Sequence, residues 1–173
     1  YCGTGTSLVE ARLAGMDGIG TDINPTARLI SLAKTIDYNL NRLTRVTEKV
    51  LSGLEDKIDS ISDYSGYSEP EKVSWKQLEK WFPKKSIGEV CCAIEQISDI
   101  DYMRGRLFIQ VALSECLRLI SFQRNGEFKL YRIPPEKRDL FYEPLLPKLR
   151  ERIERNLTGL RRFVDSVSSD TSV

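Results

Sequence analysis

Apolar residues recur at intervals of three and four along most of the chain, which is the spacing of one helix face. From about Ile36 this pattern predicts several helices that share a core. Its apolar positions are Leu40, Leu43, Val46, Val50, Leu51 and Leu54, then Ile87, Val90, Cys91, Ile94 and Ile97, then Met103, Leu107, Phe108, Val111, Ala112, Leu119 and Ile120. A last long helix is predicted from about Pro144 to Val167.

The first 36 residues differ from the rest because helical and strand-like segments alternate there. The segment SLVEARLAG predicts a short helix that begins with a capping box of Ser7 and Glu10. Residues 18–23 predict a buried strand that ends in an acid. Asn24 and Pro25 are typical first residues of a following helix. A turn, a helix, a strand and a helix in this order predict the α/β class.

The composition is typical of a globular protein, with 40% hydrophobic and 29% charged residues and a net charge of +1. The absence of histidine excludes Ser-His and Cys-His catalysis and most zinc sites within this chain. None of the four cysteines forms a C-x-x-C pair, so we expect reduced cysteines, no metal and a cytoplasmic location. No apolar run is long enough to span a membrane.

Two glycines, Gly3 and Gly5, precede the first helix, and Asp22 ends the predicted strand. A glycine turn lets a ligand approach the backbone closely, and an acid at a strand end accepts the hydroxyls of a ribose. These residues therefore predict either a nucleoside-cofactor site or a purely structural turn. Leu8 occupies the third glycine position of a dinucleotide site, and no phosphate-binding G-x-x-x-x-G-K loop exists. S-adenosylmethionine, which has no phosphates, fits both exclusions.

The opening YCGTGTSLVEA and the later GIGTDINPTA resemble the F-x-G-x-G and I-G-x-D-[IL]-N-P-x-A motifs of DNA amino-methyltransferases. The match runs through residues 1–27 and departs where Tyr1 replaces Phe. The resemblance implies a Rossmann-like class I fold, S-adenosylmethionine as cofactor, and methylation of an exocyclic amino group of adenine or cytosine in DNA. It also implies cofactor-binding residues: Tyr1, Cys2, Gly3, Gly5, Asp22 and Ile23.

The resemblance further implies a role for most of these residues. Tyr1 and the backbone of Gly3 and Gly5 would line the methionine end of the cofactor. Asp22 would bind the ribose, and Ile23 would pack on the adenine.

The family's catalytic loop, [DNS]-P-P-[YFW], is missing from the chain. Its nearest counterparts are Ile133-Pro134-Pro135-Glu136 and Asn24-Pro25-Thr26, and neither has both the polar residue and the aromatic. We interpret the first as a break in the chain and the second as a helix start. No catalytic residue is therefore assigned, and we expect the chain to be inactive by itself.

The missing loop predicts that this chain is the front portion of a longer enzyme. We expect a partial α/β cofactor segment at residues 1–36 and a large helical insertion at residues 37–173, with a flexible loop near 59–72. The insertion would make the chain predominantly helical. The strand at 18–23 would lack its usual neighbour, so we expect it to be poorly paired or to pair with another chain, through self-association or a second polypeptide.

Two alternatives remain open. One is a non-catalytic helical module that binds nucleic acid or protein and keeps a degenerate methyltransferase start, and the other is a small-molecule or RNA methyltransferase. In the last helix, acids separate the arginines, which favours a solvated face with pairs four residues apart over DNA contact. These arginines are Arg150, Arg152, Arg155, Arg161 and Arg162. Candidates for phosphate contact are Arg118, Arg124, Lys129 and Arg132.

Overall fold

The computed structural model describes residues 1–64, 78–124 and 129–169, and its regular secondary structure in these ranges is helical. The helices in chain order are α1 (Thr6–Leu13), α2 (Pro25–Thr35), α3 (Leu40–Asp59), α4 (Leu78–Trp81), α5 (Lys84–Ser98), α6 (Met103–Leu119), α7 (Pro135–Arg138) and α8 (Leu145–Ser169).

The core is built around α6, which packs against α2, α3, α5 and α8. Apolar side chains from α3, α5, α6 and α8 form one buried cluster, which includes Leu43, Ile109 and Leu149. Each such side chain contributes about 1.5–3 kcal/mol when it leaves water. The predicted periodicity is confirmed at most positions, with exceptions at Ile94 and Met103, which are 41% and 78% exposed.

Helices α1 and α2 lie against this core through a smaller set of contacts. Ala33 of α2 packs with Leu107 and Val111 of α6, and α1 contacts both α2 and α8. The guanidinium of Arg12 in α1 lies 5.5 Å from the ring centre of Phe163 in α8. These contacts hold the N-terminal turn on the outside of the helical core.

The two N-terminal helices begin differently. The predicted start of α2 is confirmed, because the Asn24 side chain accepts a hydrogen bond from the Thr26 N–H at 3.0 Å and Pro25 is the first helical residue. The capping box of Ser7 and Glu10 is wrong. Helix α1 begins one residue before Ser7, after Gly5, so Ser7 is already inside the first turn and no side chain caps it.

The α/β, Rossmann-like fold class is wrong, because the described residues contain no strand and no sheet. Residues 18–23 are irregular and largely exposed, and one backbone hydrogen bond, from the Cys2 N–H to the Thr21 carbonyl at 2.8 Å, joins them to the start of the chain. A strand is stable only when neighbouring strands satisfy its backbone groups. None is available in the described ranges, so Ile19 is 98% exposed instead of buried.

Two other predicted segments fall partly outside the described ranges. Of the loop predicted near 59–72, residues 65–72 are not described, and Asp59 is the last residue of α3. The alternating residues FKLYRI, 128–133, predict a strand; Phe128 is not described, and Arg132 forms an isolated antiparallel bridge with Gln123. The division of the chain at residue 36 stays a prediction.

Candidate functional site

The glycine turn leads directly into α1. Gly3 and Gly5 have φ angles of +51° and +82°, in the left-handed region that side chains other than glycine rarely adopt. The Gly5 N–H donates to the Cys2 carbonyl at 2.9 Å, which closes the turn, and Gly5 is the residue that precedes the helix. The exposed first turn of α1 therefore presents backbone N–H groups that no side chain caps.

Asp22 joins this turn to the start of α2. One carboxylate oxygen accepts a hydrogen bond from the Gly3 N–H, and the other accepts one from the Asn24 N–H, both at 2.9 Å. These bonds, that from Asn24 first and that from Gly3 second, lower the pKa of Asp22 below its ordinary value. The predicted glycine turn and the predicted acid are thus neighbours, and the acid is ionised at neutral pH.

The two glycines have different surroundings. A Cβ atom on Gly5 would lie 2.8 Å from the Cα of Ser31 in α2, so Gly5 is required where α1 and α2 approach each other. A Cβ atom on Gly3 would meet no other atom within 4 Å. The Ser31 hydroxyl lies 2.8 Å from the Gly3 carbonyl oxygen, and Lys34 Nζ lies 3.0 Å from that of Thr4. Close packing against Ser31 therefore explains why residue 5 is glycine, whereas residue 3 has open space where a side chain would stand.

The remaining predicted site residues flank this turn. Tyr1 and Ile23 are 98% and 88% exposed, and Cys2 is half-buried. The Cys2 N–H donates a hydrogen bond to the Thr21 carbonyl, so the start of the chain lies beside the segment that contains Asp22 and Ile23. The structure therefore brings Cys2, Gly3 and Asp22 together, with Tyr1 and Ile23 next to them in the chain and open to solvent.

A cleft that the sequence did not predict lies between α1, α2, α6 and α8. Its volume is about 480 Å³, and most of its lining is apolar, including Ile30, Phe108 and Leu160. Lys34 and Glu115 are among its polar lining residues. The residues come from four helices far apart in sequence, so no local pattern marks the cleft.

Glu89 is a buried acid that the sequence analysis missed. It lies on α5, is 1% exposed, and accepts hydrogen bonds from the Leu145 N–H at 2.9 Å and from the Tyr142 hydroxyl. A carboxylate at the start of α8 accepts a hydrogen bond from an unpaired backbone N–H and balances the partial positive charge of the helix N-terminus. The partners lie more than fifty residues away, so no sequence signal identified them.

The arginines of α8 form ion pairs, but not with acids of the same helix. Arg150 lies 3.3 Å from Glu55 of α3, and Arg155 pairs with Glu115 of α6. The favoured interpretation of a paired, solvated face is therefore supported for these two arginines, with partners on neighbouring helices instead of four residues away.

Two of the cysteines serve the core. Cys92 and Cys116 are fully buried in the main apolar cluster, and burial raises the pKa of the Cys116 thiol to about 12. Their interpretation as small hydrophobic residues is confirmed. In the part of the chain that the structure describes, no helix is long and apolar enough to cross a membrane.

Two proteins that this chain is similar to are Type II methyltransferases. The Type II methyltransferase M.MvaI of Kocuria varians is 31% identical over 166 residues, which are 94% of this chain and 36% of the relative. The Type II methyltransferase M.MjaII of Methanocaldococcus jannaschii is 28% identical over 82 residues, which are 47% of this chain and 16% of the relative. The chain thus spans little more than a third of the length of M.MvaI.

These relationships confirm the resemblance that the N-terminal motifs indicated, because the chain is similar to a Type II methyltransferase along 94% of its length. No protein-family model matches the chain. No solved structure matches it either.

Proposed function

We propose that this chain is the cofactor-binding part of a DNA methyltransferase that transfers a methyl group from S-adenosylmethionine to an exocyclic amino group of adenine or cytosine. Residues 1–36 would hold the cofactor, and residues 37–173 would form a helical domain beside it. The observation that carries the proposal is the hydrogen bond between the Asp22 carboxylate and the Gly3 N–H, at 2.9 Å. It joins the two motifs that the family resemblance assigns to one ligand.

The chemistry of Asp22 fits a ribose. Each carboxylate oxygen accepts one backbone N–H, from Gly3 or Asn24, and each keeps acceptor capacity for a hydroxyl. The lowered pKa keeps the group charged, and charged acceptors form stronger hydrogen bonds than neutral ones. Ile23, the next residue, offers an exposed apolar side chain to the adenine.

The glycine turn fits the methionine end of the cofactor. Gly3 has open space where a side chain would stand, and the start of α1 has no side-chain cap. A carboxylate is favoured at such a helix start by the unpaired N–H groups and the helix dipole. Tyr1 and Cys2 border the same space, while Gly5 sets the path of the turn against α2. The bound cofactor would supply an activated methyl group on its sulfonium.

Isothermal titration calorimetry of the chain with S-adenosylmethionine tests this proposal. Asp22→Ala is expected to weaken binding by about tenfold or more, because hydrogen bonds to a charged acceptor are lost. Asp17→Ala, which removes an exposed acid from the same irregular segment, serves as the matched control and is expected to bind like the parent. Equal affinities for the parent and Asp22→Ala would exclude the ribose role.

A further inference from the structure

We propose that one surface of the chain, here called the basic face, binds the phosphate backbone of duplex DNA. The basic face consists of residues 78–85, 122–124 and 129–139. The identity of the ligand rests on the proposed function. The surface itself is independent of the cofactor turn, because none of its residues belongs to residues 1–36.

Backbone hydrogen bonds join the three segments of the basic face into one surface. The Phe122 N–H donates to the Trp81 carbonyl at 2.7 Å, and the Ile133 N–H donates to the Phe122 carbonyl at 2.7 Å. The Arg124 N–H donates to the Tyr131 carbonyl at 2.8 Å. Cations that are up to 58 residues apart in sequence, Lys80 and Arg138, therefore belong to neighbouring segments.

The basic face concentrates positive charge in a nearly neutral chain. Its segments contain eight Lys and Arg against three Asp and Glu, whereas the whole chain has 26 against 25. The eight are Lys80, Lys84, Lys85, Arg124, Lys129, Arg132, Lys137 and Arg138. A local excess of this kind is the electrostatic mark of a phosphate-binding surface.

Arg132 is held in place by contacts with another segment of the basic face. Its guanidinium lies 5.4 Å from the ring centre of Trp81, and one of its nitrogens lies 3.1 Å from the Lys80 carbonyl oxygen. The guanidinium has five N–H donors, so this arrangement leaves others for a phosphate. A side chain that is already ordered loses less entropy when it binds.

The lysines of the basic face differ from the cations of α8 in their partners. Among the described residues, Lys80, Lys129 and Lys137 form no ion pair, whereas Lys148 lies 2.9 Å from Glu143, and α8 arginines pair with other helices. A cation without a carboxylate partner is neutralised only by dissolved ions. When it binds a DNA phosphate, counterions are released into solution, and this release favours binding.

An exposed aromatic ring stands among these cations. Tyr131, between Leu130 and Arg132, is 48% exposed, and Leu130 is 70% exposed. Tyrosine hydroxyls donate to phosphate oxygens, and exposed rings pack on sugars and bases. This combination favours a nucleic acid over an acidic protein, which would need only the charges.

Fluorescence anisotropy with a labelled mixed-sequence DNA duplex tests the basic face. The variant Lys80→Gln with Lys129→Gln is expected to bind at least about tenfold more weakly at about 0.1 M salt. The slope of log K against log salt is expected to fall by about two, since two phosphate contacts are lost. Both side chains are exposed and form no ion pair within the described residues, so folding is expected to be retained and is checked by circular dichroism.

The matched control is Lys49→Gln with Arg162→Gln, which removes the same charge from exposed positions on α3 and α8. It is expected to keep the parent's affinity and salt slope. The inference is overturned if the parent chain does not bind the duplex, if both double variants weaken binding equally, or if polyglutamate binds as tightly as DNA.

The same variants separate this inference from the proposed function. Lys80→Gln with Lys129→Gln is expected to leave S-adenosylmethionine binding unchanged, because the basic face and the glycine turn share no residue. Loss of DNA binding with unchanged cofactor binding supports the inference. Cofactor binding that depends on Asp22, together with DNA binding that ignores the basic face, would overturn the inference and leave the proposed function standing.

Discussion

The backbone N–H of Leu145, the first residue of α8, donates a 2.9 Å hydrogen bond to the carboxylate of Glu89 on α5, and both residues are buried. The second oxygen of Glu89 accepts from the Tyr142 hydroxyl. A single acid thus ties the start of the longest helix to the middle of another. Its two oxygens are satisfied by the N–H at the start of α8 and by the Tyr142 hydroxyl, in a place that is almost closed to solvent.

Glu89→Ala is expected to lower the free energy of unfolding by about 3 kcal/mol, because two hydrogen bonds to a buried charged acceptor are lost. Glu95→Ala on the same helix is the control. Glu95 is exposed and pairs with Lys57, so its loss is expected to cost less than about 1 kcal/mol. Urea unfolding measures both values, and equal losses would contradict the capping role of Glu89.

Gly5→Ala is expected to destabilise the chain more than Gly15→Ala does. Both glycines have positive φ angles, +82° and +67°, so both variants carry the left-handed backbone cost of about 1 kcal/mol. Only at Gly5 would the new Cβ meet the backbone of Ser31, which adds about 1–3 kcal/mol of overpacking. Thermal unfolding of the two variants measures the difference, and equal midpoints would show that α1 and α2 separate without cost.

Asp22 is expected to make stability depend on pH in the acid range. Hydrogen bonds from Asn24 and Gly3 lower its pKa in the folded chain below 3.8, the ordinary value. Its contribution is therefore full above about pH 5 and is lost as the pH falls through the lowered pKa. Relative to the parent, Asp22→Asn is expected to be less stable at pH 7, with a gap that narrows below about pH 4.

Urea unfolding of both proteins across this range measures the gap, with Asp17→Asn as the control for loss of one negative charge. A gap that stays constant from pH 7 to below pH 4 would show that the Asp22 carboxylate does not stabilise the turn through its charge.

The chain alone is expected to transfer no methyl group to DNA. Transfer to an amino group requires the amine to be held in line with the methyl carbon, and positioning supplies much of the rate. The nearest match to the catalytic loop has structural roles, since the Ile133 N–H bonds the Phe122 carbonyl and Pro135 begins α7. Incubation with labelled S-adenosylmethionine and mixed-sequence DNA measures transfer, with M.MvaI as the positive control. Transfer at a comparable rate would show a catalytic group outside the expected motif.

The sequence predicted the helices well because their signals are local. Leu43, Val50 and Leu54 recur on one face of α3, and Asn24 caps α2 with its own side chain. The proximity of Gly3 and Asp22 was also anticipated, through a motif whose spacing is characteristic of one family. Each of these features depends on residues close together or on a fixed spacing between them.

Features that depend on distant partners were not predictable in this way. The segment 18–23 contains Ile19 and Ile23 and was predicted as a strand, but a strand also needs neighbours, and the described residues supply none. The bond between Glu89 and Leu145, and the cleft between four helices, arise from packing across the whole chain. A pattern within a short window contains no information about such contacts.

An NMR titration of the chain with S-adenosylmethionine, observing backbone amide resonances, tests the central claim most directly. The amides of Gly3, Asp22 and Ile23 are expected to shift as the cofactor binds, while those of Lys129 and Arg132 on the basic face stay in place. The method detects weak binding, so a low affinity of this chain does not obscure the result. Shifts that cluster around Phe108 and Leu160 in the interhelical cleft, or no shifts at saturating cofactor, would contradict the assignment of the glycine turn as the cofactor site.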